Sequence, residues 1–191
     1  MKNFLKLLIQ PVLQKLWIAD LFFGMIRFLC GILLAFDFGA SKFGMPWSPA
    51  EKNLGFFEVV DWFPQDVAEY GGIFATFPVF FAWMGAFSEA VGGLFLALGL
   101  KTRIAAFLIL CTMLVAIFLQ KWGQGTWGML PAMGFLWVSV YNLFLGSGRF
   151  GLDNILSIEA SADTVYLGTE EGFYRLHHED LRPINRATQM I

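Results

Sequence analysis

The sequence predicts an all-α integral membrane protein: a four-helix bundle with an N-terminal interfacial amphipathic helix and a short helical cap between the first two spans. Three observations carry this. Of 191 residues, 57% are hydrophobic and only 15% are charged, where soluble domains carry about a quarter. Mean hydropathy is +0.62. The apolar residues also gather into four runs long enough for a bilayer, which takes about 20 helical residues. With a net charge of −2 there is no basic field to attract nucleic acid.

Residues 1–18 form the first element. Phe4, Leu5, Leu8, Ile9, Val12, Leu13, Leu16 and Trp17 recur at helical spacing, with Lys2, Lys6, Gln10, Gln14 and Lys15 between them. Such a pattern describes an amphipathic segment lying on the membrane surface, bent or restarted at Pro11. A cleaved signal peptide fits less well. The apolar run that follows holds Asp20, Arg27 and Asp37, and no small-residue cleavage site is evident.

The membrane domain spans residues 19–153, with spans at about 21–41, 74–100, 104–122 and 126–145. The loop 42–73 holds Trp47, Phe56, Phe57, Trp62, Phe63 and Tyr70 among five carboxylates, with Pro46, Pro49 and Pro64 as breaks. So many aromatics are out of place in a solvated linker, and this loop reads as a re-entrant or interfacial cap of one or two short helices. Links of a few residues, Lys101-Thr102-Arg103 and Gly123-Gln124-Gly125, make the later spans antiparallel neighbours. Residues 154–191 are a polar cytoplasmic tail, a docking helix or a disordered end, too small for a core of its own.

Lysine and arginine placement sets orientation. Lys2, Lys6, Lys15, Lys101, Arg103 and Arg149 fall on one side, and Lys42, Lys52 and Lys121 on the other. Positive charge is retained inside, so both termini are expected in the cytoplasm.

An ionisable group in the hydrocarbon region costs on the order of 3 kcal/mol and is sheltered by pairing or by a wet interior. Arg27 lies roughly 10 Å into span one and Glu89 roughly 16 Å into span two, counted at 1.5 Å per residue from the cytoplasmic face. Each sits in a stripe of small residues: Gly24, Gly31 and Ala35 beside Arg27; Ala82, Gly85, Ala86, Gly92 and Gly93 beside Glu89. Small stripes mark close helix contact, so both charges are expected to face inward and meet. They form either a register-fixing ion pair or the lining of a pocket or proton path. Ser139 and Asn142 share a face of span four and bring polar groups to the same region. Asp37, Lys42 and Arg103 are interfacial polar candidates, placed where long side chains snorkel.

Cys30 and Cys111 sit in apolar runs without a CxxC, as small hydrophobes. The only histidines, His177 and His178, lie in the tail, so neither haem held between spans nor a metal site is expected. No nucleotide loop or soluble-type catalytic motif is legible.

The motifs resemble the DoxX family of small bacterial membrane proteins. The resemblance runs through Arg27-Phe28-Leu29-Cys30-Gly31, Gly39-Ala40-Ser41-Lys42 and Glu89-Ala90-Val91-Gly92-Gly93-Leu94. It continues through Leu98-Gly99-Leu100-Lys101-Thr102-Arg103, Ala105-Ala106, Asn142 and the segment Gly146–Asp153. It implies a four-helix membrane bundle and an association with quinone-linked oxidoreductases, including a thiosulfate:quinone oxidoreductase subunit. The family's polar positions fall on Arg27, Lys42, Glu89, Arg103 and Asn142. The leading expectation is therefore a membrane subunit that holds a quinone or a similar amphipathic molecule among its helices, with Arg27 and Asn142 as donors to a carbonyl and Glu89 orienting Arg27 or relaying a proton. A small-solute transporter or channel, or a non-catalytic assembly or scaffold protein, is the alternative. Expected partners are the lipid bilayer, protein subunits meeting the 42–73 loop or the tail, and a second copy of the chain.

Overall fold

The computed structural model describes residues 16–155 and three strands between 165 and 183. The amphipathic segment expected over residues 1–18 lies almost wholly outside the described residues.

Among the described residues, three stretches are long and apolar enough to cross a membrane: Trp17–Gly39, Pro78–Leu98 and Thr102–Leu145. Trp17–Gly39 is α1, ending in a π-helical turn over Leu34–Gly39. The cap follows. A bridge between Phe43 and Val59 closes its first half, and the short helices α2 (Trp62–Ala68) and α3 (Gly72–Thr76) form the second. Pro78–Leu98 is α4, with a π-helical turn over Ser88–Gly92. It begins later than position 74, because Phe77 precedes proline and takes φ −130° and ψ 56°. Proline bars the residue before it from the helical region.

The third stretch, 44 residues long, is two antiparallel arms. The first arm is α5 (Thr102–Val115), prolonged by a π-helical turn over Ala116–Lys121. A 3₁₀ turn over Trp122–Gln124 then reverses the chain, and Gly125 at φ +74° starts α6 (Gly125–Leu145). The two arms pack along their lengths. At the far end of the pair Arg103, at the start of α5, donates from Nη2 to the carbonyl of Phe144, 3.1 Å away.

The glycine stripe brings α1 and α4 backbone to backbone. A Cβ on Gly31 would sit 2.5 Å from the Ala97 nitrogen, and one on Gly39 would sit 2.5 Å from Ala90. Leu34, Leu96, Ala106, Ile109, Met113 and Phe135 fill the centre between α1, α4, α5 and α6, with half-buried Cys30 packed against them. A second core of Phe43, Phe63, Val67, Ala82, Ala86 and Ala90 lies under the cap. Outside, large apolar side chains face away from the protein: Phe22, Val79, Phe118, Trp137 and Phe144 are all more than half exposed. Water-soluble surfaces do not carry such a ring. This is a membrane protein, and the ring faces lipid.

The C-terminal stretch departs from the helical class. In place of a docking helix or a disordered end, β1 (Val165–Thr169), β2 (Gly172–His177) and β3 (Asp180–Pro183) form an antiparallel sheet in that order. Val165 pairs with Leu176, and Arg175 with Arg182. The runs Val165-Tyr166-Leu167 and Phe173-Tyr174 are β-branched and aromatic, which suits a pleated strand. Polar composition had obscured that signal.

Candidate functional site

Glu89 lies in the π-helical turn of α4. Its side chain is 6% exposed and accepts from Lys42 Nζ at 2.7 Å. Lys42 stands just past α1. The Lys42 amide donates to the carbonyl of Gly39, and its own carbonyl accepts from the amide of Val60 in the cap. The chain is therefore pinned on both sides of the lysine, and its ammonium also lies 5.1 Å from the centre of the Phe63 ring. Ammonium over a ring face is a favourable contact in a dry site.

Beside this pair is a cavity of about 230 Å³. Lys42, Ser88 and Glu89 form its polar end; Phe63, Val67 and Tyr70 of the cap region form a roof; Met84, Gly85, Leu108, Cys111 and Val115 form apolar walls. Thr112 donates to Ser88 Oγ at 2.8 Å and joins α5 to α4 at the edge of the polar end. Burial, aided by the carboxylates of Asp66, Glu69 and Glu89, pushes the Tyr70 phenol up to about 12. It stays neutral, a donor and an acceptor, at any physiological pH. An engineered cavity of about 150 Å³ takes up benzene, so this one has room for a substituted ring with hydrogen-bonding groups at one end.

The other end of the helical body is packed shut. The chain after α6 folds back over it. The Asp153 carboxylate accepts from the amides of Lys101 at 2.7 Å and Thr102 at 2.9 Å, capping α5 from 52 and 51 residues downstream in sequence. The Asp153 amide donates to the carbonyl of Gly99. Arg149 Nε meets buried Asp20 at 3.0 Å. Arg27 is 3% exposed here, with Nη2 3.5 Å from the Phe150 carbonyl. Its guanidinium fills the space a side chain on Gly99 would need.

The expected meeting of Arg27 with Glu89 does not occur. The register explains why: Gly31 faces Gly93 and Ala97, and Gly39 faces Ala90. Arg27 is therefore level with Gly99, about 18 Å along α1 from the level of Glu89 at 1.5 Å per residue. The partner of Glu89 is Lys42, which the sequence suggested as an interfacial anchor. Asn142 shares a crevice with Arg27, but the space there is about 10 Å³, at the lower limit for one water molecule. Neither Asn142 nor Ser139 reaches the cavity. Each turns back on its own helix, Asn142 Nδ2 to the Val138 carbonyl and Ser139 Oγ to that of Phe135. Asp37 is exposed at the end of α1, and Arg103 holds the α5–α6 end.

Tyr70, Ser88, Thr112 and Asp153 were missed as site or locking residues. Thr112 stood in plain sight as a hydroxyl inside an apolar run. Asp153 ended a glycine-rich segment after the last span, where a carboxylate near a helix start is a capping signal, but the helix it caps is distant in sequence.

Residues 49–122 match the family model DoxX. The matched stretch carries the second half of the cap, all of α4 and α5, and with them Glu89 and most of the cavity wall. Neither curated proteins nor solved structures give a match.

Proposed function

We propose that this DoxX-family protein is the membrane subunit of a quinone-linked oxidoreductase system and that the cavity under the cap holds the quinone ring. Counting α5 and α6 as separate crossings gives four spans, with both termini in the cytoplasm of a bacterial cell and the cap outside. One observation carries the reading: a ring-sized, mainly apolar cavity ends on the part-buried Lys42–Glu89 pair. A quinone carbonyl would accept from Lys42 Nζ. Reduction to the quinol also takes up protons, and Glu89, linked to the cap side through Lys42, is the group placed to pass them. The electrons come from a partner subunit, for which the 42–73 loop and the C-terminal sheet are the docking elements. The donor roles expected of Arg27 and Asn142 pass to Lys42 and Tyr70.

A transporter would need a polar path through the helices. Leu34, Leu96, Ala106 and Ile109, all at most 1% exposed, pack across the middle between the cavity and the locked end, which favours a dead-end pocket. Protein purified in mild detergent and extracted for lipids should yield quinone by mass spectrometry. Glu89→Ala should lose it, while Ser139→Ala keeps it. Quinone-free wild-type protein sinks the proposal.

A further inference from the structure

The walls of the cavity differ in how they meet. Over Ser88–Leu98 α4 packs closely on α5, but over Pro78–Phe87 the two helices stand apart. The cavity occupies that wedge. Its closed apex is the Ser88–Thr112 hydrogen bond, and its roof is α2, which packs on the same half of α4. The open side faces outward between the helices. There Phe80 is 58% exposed and Cys111 is exposed. An opening onto water would be rimmed by polar groups; away from its polar end and Tyr70 this cavity is lined by apolar residues apart from Gln120, just past α5, and exposed Phe80 and Phe118 belong to the lipid-facing ring.

We infer that the wedge is a side door from the bilayer: the ligand enters between α4 and α5 and leaves a long apolar tail in the lipid while its head reaches Lys42 and Glu89. The ligand class is thus a tailed, membrane-resident molecule rather than a water-soluble one. This rests on the proposed cavity reading and adds its route and specificity. Gly85 offers the means of closing the door. A Cβ there would meet Phe63 at 3.6 Å and Thr112 at 3.9 Å, ordinary contacts, so a larger side chain extends into open cavity rather than into backbone.

The test uses the full chain in lipid nanodiscs. A carbene-generating alkyl diazirine dissolved in the lipid probes access from the bilayer, and hydroxyl radicals generated in the water probe access from solution; both are read by peptide mass spectrometry. Met84 and Cys111 should take the lipid probe severalfold more than buried Ile109, and Met84 and Tyr70 should resist radical oxidation relative to exposed Phe56. Gly85→Leu should cut the lipid labelling severalfold, and Gly85→Ala, which folds without crowding, should leave it high. Labelling of Met84 no higher than that of Ile109, or oxidation as strong as at Phe56, overturns the side door. A tetrasubstituted quinone with a decyl tail, which has no open ring carbon for a thiol, should protect Met84 where its tailless analogue does not. Strong lipid labelling that no quinone reduces, but that Gly85→Leu abolishes, keeps the door and removes the quinone. Equal protection by tailed and tailless quinones keeps the quinone and removes the tail.

Discussion

The two ends of the helical body solve the same problem in opposite ways. Each buries charge, and each uses residues from outside the spans to do so. At the end near Gly99, Asp20 and Arg27 are buried beside a crevice too small for anything beyond one water, and the fold-back brings Arg149 onto Asp20 and Asp153 onto the amides of Lys101 and Thr102. At the cap end a single ion pair borders a cavity of about 230 Å³. The first is a lock and the second a pocket. Buried charge alone therefore does not mark a binding site; the volume left beside it does.

The largest expected effect breaks the pocket. Glu89→Ala should strand the Lys42 ammonium and cost about 3 kcal/mol, the low end for splitting a buried pair because Lys42 keeps some exposure. Adding Lys42→Met should recover much of that loss in thermal unfolding. Adding Arg27→Ala instead should give additive losses, since among the described residues the two sites share no partner. Coupling of Glu89 to Arg27 rather than to Lys42 would overturn the separation of the two ends.

The register that separates the ends is tested at Gly31. A methyl there meets the backbone of α4, which cannot yield as a side chain tip can, so Gly31→Ala should cost about 2–3 kcal/mol by overpacking. Gly134→Ala, where a Cβ meets nothing within 4 Å, serves as control. Equal unfolding temperatures would mean that α1 and α4 do not approach at Gly31.

The lock is tested at Asp153. Asp153→Ala removes the acceptor of two amides at the start of α5 and should cost about 1–2 kcal/mol, the upper range for a lost cap. Quinone content should not change, because the lock and the pocket lie at opposite ends. Loss of ligand without loss of stability would show the ends to be coupled.

The smallest effect is at Tyr70. Its phenol titrates near 12 in the folded protein against about 10 when unfolded. The folded state holds its proton more tightly, so this contribution is complete below pH 10 and is lost as pH rises toward 12. Tyr70→Phe should flatten stability over that window in alkaline unfolding curves. An unchanged slope would place Tyr70 in open solvent.

Much of the helical body was legible in the sequence for a simple reason. Lipid demands long apolar helices, and runs such as 104–122 carry that demand in every residue. The stripes of Gly31 and Gly93 announced close backbone approach, and this is how they are used. The inference from Arg27 and Glu89 was sound about burial but failed on pairing. Depth along each helix says nothing of the stagger between helices, and a carboxylate can be met by any cation that the fold brings near. Lys42 looked like an anchor because its reach into the protein depends on the turn after Gly39 and the tether to Val60. The strands after residue 165 were obscured because a polar, charged composition speaks against a core without speaking for a coil.

By itself the sequence determined that the chain enters a membrane, that its apolar runs form long helices, and that ionised groups within them had to be sheltered, because hydrocarbon penalises each exposed charge wherever the helix sits. The tertiary structure alone decided which charge meets which. That choice depends on the stagger of α1 against α4, the fold-back of residues 146–155 and the wedge between α4 and α5, all set by contacts between parts of the chain that no local pattern connects.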